Sequence, residues 1–132
     1  GAPLANAQFG AGSSIPARNM RDLDLADLDG DGRPEILAAT SAGVVVALTG
    51  NCQRLWSTRL SSSPTVLDAL PSDHGGAPTI VVGCQDGSVL ALDAAGRVTR
   101  RGRVDGAPTR IVELGAAVAI GTARGVLAVF RP

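Results

Sequence analysis

Residues 35–50, EILAATSAGVVVALTG, lie over residues 79–94, TIVVGCQDGSVLALDA, without a gap. Ile36 meets Ile80, Gly43 meets Gly87, Ala47 meets Ala91 and Leu48 meets Leu92, a spacing of 44 residues. SSPTVLDAL (62–70) lies over GAPTRIVEL (106–114) at the same spacing, through Pro64 and Pro108. A trimmed third copy, AVAIGTARGVLAVF (117–130), sets Gly125 in the place of Gly87. Self-similarity at this period constrains the fold more than any other feature, because one such unit cannot bury its own apolar faces. Copies must stack to make a core.

Each copy holds an apolar run, a small turn with glycine (SAG, QDG, ARG) and a second apolar run. This pattern predicts a β-hairpin in every repeat. The hairpin runs are almost continuously apolar, as in strands covered on both faces. More charged runs follow at 54–60 and 97–104 and predict outer, solvent-facing strands. Inner strands are expected at 21–28, 64–70 and 109–114. Composition agrees: hydrophobic residues at 45% supply a core, aromatics at 2% make it aliphatic, and 17 Gly with 8 Pro supply turns.

Four short strands per repeat is the period of a β-propeller blade. The expected fold is all-β: three four-stranded blades in one segment spanning 1–132, at about 20–63, 64–106 and 107–132. The third repeat ends without an outer strand, so residues 7–19 are expected to complete it. Three blades are fewer than the usual four to about eight of a closed ring. Open end faces rich in Val and Ala would call for a partner. Self-association is expected, most simply a homodimer closing a six-bladed ring. The rival expectation is a fragment of a longer propeller.

DLDGDGRPEIL (27–37) carries the candidate chemistry, with acids at Asp27, Asp29, Asp31 and Glu35, and Gly32 at the turn. Alternating oxygen ligands around a sharp turn suit Ca²⁺, a hard ion taking six to about eight oxygens, and four carboxylates repel one another without a cation. It is not an EF-hand: Ala38 stands at the twelfth position, and strands flank the loop. The spacing D-x-D-x-D-G-x-x-[DE] between strands resembles the calcium hairpin of the FG-GAP/VCBS repeats, as in integrin α-subunit propellers. That resemblance implies Ca²⁺ held by Asp27, Asp29, Asp31, Glu35 and the Arg33 carbonyl. Glu35 departs from the commoner Asp. The second repeat aligns PSDHGGAPTIVV with this loop but keeps only Asp73 as an acid, and the third shortens it to LGAAV. The ion is therefore expected to be a local clasp.

Other chemistry is weaker. His74 beside Asp73 and Ser72 cannot form a catalytic triad from adjacent positions. The acids outside the loop (Asp68, Asp86, Asp93, Asp105, Glu113) are expected mostly in turns. Trp56 resembles a blade-docking tryptophan of PQQ-like propellers, and it is expected to pack between blades. Arg97, Arg100, Arg101 and Arg103 are expected to guard an outer strand. Cys84 is expected in the core and Cys52 as an exposed thiol in a turn. Zero net charge gives no support to nucleic-acid binding, and no apolar run reaches membrane-spanning length. These features predict a non-enzymatic, calcium-stabilised module for protein binding or self-assembly, extracellular or periplasmic, with an unidentified protein or glycan ligand. The alternative is a piece of a longer adhesin, lectin or enzyme.

Overall fold

The computed structural model of the chain describes residues 20–72, 76–115 and 117–131. Their secondary structure is all strand and turn. The first sheet holds β1 (Met20–Ala26), β2 (Glu35–Thr40), β3 (Val44–Leu48) and β4 (Arg54–Arg59) in that order. The second repeats it with β5 (Pro64–Leu70), β6 (Thr79–Cys84), β7 (Ser88–Leu92) and β8 (Val98–Arg103). The third has β9 (Pro108–Leu114), β10 (Ala117–Thr122) and β11 (Leu127–Phe130). All pairs are antiparallel meanders. The segment expected to complete the third blade, 7–19, lies outside the described residues.

The three hairpin glycines explain the repeat. Gly43, Gly87 and Gly125 have φ of 83°, 89° and 78°, the left-handed region that a side chain resists. At Gly87 space forbids a Cβ as well, since it would stand 2.4 Å from the Val104 carbonyl oxygen.

Alternation along the strands then divides the core into layers. Leu37, Ala39, Val45 and Ala47 of blade 1 meet Leu67, Ile80, Val82, Leu90 and Leu92 of blade 2 in the largest cluster. The opposite side of blade 2, with Leu70, Val81 and Val89, meets Val118 and Ile120 of blade 3. Burial on both faces is why β6 and β7 read as unbroken apolar runs. Glycine permits the second junction: a Cβ on Gly83 would lie 2.6 Å from Cβ of Pro108.

Trp56 sits between blades as expected. Its Nε1–H donates to the Ala94 carbonyl at 2.9 Å, and Thr58 Oγ1 donates to the Gly96 carbonyl. β8 is exposed at its arginines, as expected of a guarded outer strand. Cys84 is buried, and burial pushes its thiol up to about 11, with help from the charge of Asp86. Cys52 lies in the β3–β4 turn but is half-buried rather than fully exposed.

The ends of the stack differ from its middle. Blade 3 exposes Val112, Leu114, Leu127 and Val129 on the side away from blade 2. Blade 1 exposes Leu23 and Leu25 of its inner strand, while Val44, Val46 and Leu48 on its outward face are buried. The expectation of two fully open end faces thus holds for blade 3 and, in blade 1, for the inner strand and for Leu55 of the outer one.

Candidate metal centre

The β1–β2 turn gathers the predicted acids. Asp27 follows β1 and Glu35 opens β2, so the strand pairing of Ala26 with Glu35 fixes both ends of the turn. Between them, Gly30 and Gly32 take φ of 78° and 83° and fold the backbone back. One carboxylate oxygen from each of Asp27, Asp29, Asp31 and Glu35 lies within 4.8 Å of the others. Oxygens bound to one Ca²⁺ at about 2.3–2.6 Å stand at most about 5 Å apart, so this donor set fits a single ion of that size.

Backbone amides hold the donors in place. Asp27 accepts the Gly30 N–H on Oδ1 at 2.9 Å and the Gly32 N–H on Oδ2 at 2.8 Å. Asp29 accepts the Asp31 N–H at 3.1 Å, and Asp31 accepts the Arg33 N–H at 2.7 Å. Glu35 is buried, and its Oε1 accepts the Leu28 N–H at 2.8 Å. A carboxylate buried beside three others is costly unless a cation or proton compensates.

The electrostatics are divided. The Gly32 amide, aided by Gly30, holds the Asp27 carboxyl below its ordinary value. At Asp29 the Asp31 amide pulls downward, but desolvation and the nearby Asp31 carboxyl outweigh it and the net shift is upward. Arg33 is exposed, and with Asp29, Asp31 and Glu35 it lines a cleft of about 430 Å³ that reaches Thr49 and Asn51.

Sequence reasoning missed a second acidic group. Asp86, Asp93 and Asp105 do fall in turns or loops, but Asp68 lies in β5 and Glu113 in β9. Both strands were expected at these places, but the approach of Asp68 to the aspartates of β1 was not. Asp22 Oδ2 accepts the Leu67 N–H at 2.9 Å, and Asp24 Oδ2 accepts the Ala69 N–H at 2.8 Å. These bonds cross from blade 1 to the inner edge of blade 2. The signal available was the repeat itself, which places Asp68 44 residues after Asp24. His74 lies outside the described residues.

A family model of the lambda-carrageenase β-propeller domain matches residues 17–104, two thirds of the chain. The chain belongs to that family. Residues 17–104 of the family match take in all of blades 1 and 2, including the acidic turn.

Solved structures show the same fold for this propeller chain. BBS1N, crystallised in complex with ARL6DN, superposes with a TM-score of 0.73 at 14% identity, over 89% of this chain and 35% of its own. The computationally designed Ika4 protein reaches 0.68 at 20% identity, over 85% of this chain and 65% of its own. BamB from Moraxella catarrhalis reaches 0.59 at 22% identity, over 82% and 30%. The propeller chain thus spans about a third of the length of BBS1N. No curated protein matches it in sequence.

Proposed function

We propose that this chain is a non-catalytic propeller arc that a second copy completes, with calcium fastening the β1–β2 turn of its first blade. One observation carries the reading. Exposed apolar residues at both ends, Leu23, Leu25 and Leu114, are the repeat equivalents of residues that pack at the internal junctions. Leu23 and Leu25 stand 44 residues before Leu67 and Ala69, which pack in the first core layer. Leu114 stands 44 residues after Leu70, in the second. The occupant each end fits is therefore another blade of this repeat, and blade 3 of one copy meets the inner strand of blade 1 of the other. β11, which lacks an outer neighbour among the described residues, would gain one from 7–19, which is how the expected six-bladed ring closes.

Calcium is supported by the compact donor set and by the cost of leaving Glu35 buried among other acids. This is the FG-GAP/VCBS manner of fastening a blade, carried by Asp27, Asp29, Asp31, Glu35 and the Arg33 carbonyl. Such a clasp fits a secreted protein. An external protein or glycan ligand remains part of the reading.

A second reading is favoured by length. The chain spans about a third of the natural propellers BBS1N and BamB, so the missing blades would lie in the same polypeptide. The family takes its name from a lambda-carrageenase propeller domain, and on this reading the chain is an enzyme's accessory propeller.

Light scattering on a matched pair of variants separates the readings. Leu127→Arg on the open blade 3 face is expected to leave the fold intact and yield single chains. Ala95→Arg, in the exposed β7–β8 turn of the internal blade 2, is expected to leave the assembly unchanged. Assembly that survives Leu127→Arg overturns this contact, and a wild-type chain that never assembles favours the longer polypeptide.

A further inference from the structure

The inner strands β1, β5 and β9 line one groove, to which blades 1 and 2 bring carboxyl groups and blade 3 brings Arg110. The groove, of about 300 Å³, is lined by Asp22, Asp24, Val66, Asp68, Arg110 and Ile111. Inner strands of a propeller leave one backbone edge unpaired, and here two aspartates serve it. Each bridges two strands: Asp22 accepts the amides of Leu23 and Leu67, and Asp24 those of Leu25 and Ala69. Asp68 lines the groove with them, next to the Ala69 amide that Asp24 holds; it shares a hydrogen bond with the Asp24 carboxyl and feels the charge of Glu113 on β9.

We infer that Asp68 is the proton-dependent element of a clasp along this inner edge, closing the junctions of blades 1, 2 and 3 when neutral and loosening them when ionised. Neutral Asp68 donates its proton to the Asp24 carboxylate, which stays free to accept the Ala69 amide. Loss of that proton to solvent leaves Asp24, Asp68 and Glu113 as three facing negative charges across β1, β5 and β9. The other charged or titratable groups around β5 do not offset this. Arg110 of β9 lines the groove in an exposed position, Cys84 of β6 pairs with Pro64 at the far end of the strand, and Glu35 of β2 is turned to the Leu28 amide.

The electrostatics agree in sign. Burial first, then the shared hydrogen bond with Asp24 and the charges of Glu113 and Asp24, push Asp68 from 3.8 up to about 7, against a weaker downward pull from the Ala69 amide. The folded chain then keeps a proton that the unfolded chain has released. Stability is full below the ordinary carboxylate range and is lost as pH rises through about 7. This device depends on neither calcium nor self-association.

The test is a carboxyl-carbon NMR titration of Asp68, paired with thermal melts in chelator from about pH 5 to about pH 8. The Asp68 signal is expected to titrate near 7 and the wild-type melting temperature to fall as pH rises. Asp68→Asn, which mimics the neutral form, is expected to flatten that fall. Glu113→Gln removes an exposed charge without touching the core, and it is expected to move the Asp68 midpoint to lower pH. An Asp68 midpoint in the ordinary carboxylate range overturns the clasp. So does an Asp68→Asn protein whose melting temperature falls as steeply as that of the wild type, or a midpoint that Glu113→Gln leaves in place.

Discussion

Leu70 in blade 2 and Leu114 in blade 3 hold the same place in successive repeats, yet one is 5% exposed and the other 51%. Val89 and Leu127 end the hairpin turn in the same way and stand at 6% and 72%. The side chains are alike, so the difference lies in the neighbour. Among the described residues, blade 2 has a sheet against each face and blade 3 has one. In a stack of repeats, burial follows from position in the array as much as from residue type.

The largest expected contrast between the two blades is in their cores. Ile80→Ala removes a fully buried side chain from the first layer and is expected to cost about 2–5 kcal/mol in urea unfolding. Leu127→Ala is expected to stay within about 0.5 kcal/mol when the chain is dilute. Equal losses would mean that blade 3's face is covered in the single chain.

Calcium gives the next contrast, between the turns of blades 1 and 2. Withdrawal by chelator is expected to cost about 2.7 kcal/mol relative to a hundredfold excess over Kd. Asp29→Asn is expected to reduce that difference in thermal melts, and a chelator-insensitive wild type would leave the two turns equivalent.

Glycines give a smaller one. Gly83→Ala drives a Cβ into Pro108 and is expected to cost about 1–3 kcal/mol. Gly121 holds the matching place in blade 3, and a Cβ there meets nothing within 4 Å. Gly121→Ala is expected to leave the melting temperature of the dilute chain unchanged. Smallest is Trp56→Phe, which leaves the Ala94 carbonyl without its partner and is expected to cost about 1 kcal/mol by chemical unfolding.

The fold was largely legible because turn chemistry and period agree. Glycine at 43, 87 and 125 set the hairpins, and the apolar runs between them became β2–β3, β6–β7 and β10–β11. The acidic turn was legible too, since the spacing of its carboxylates is local in sequence. What escaped were contacts between repeats. Asp68 and Glu113 fall within the inner strands expected at 64–70 and 109–114, but nothing near them in sequence names Asp24 as a neighbour, and only stacking of the inner strands brings their charges together. The burial of Val44, Val46 and Leu48 on the outward face of blade 1 was not legible either, since the sequence reading expected that face to be open.

Sedimentation equilibrium of the purified wild-type chain with calcium tests the central claim most directly, namely that the end faces of this arc are completed by a second copy. The account predicts a species of twice the 13.3 kDa chain mass that dissociates on dilution. A mass of 13.3 kDa at every concentration would contradict it.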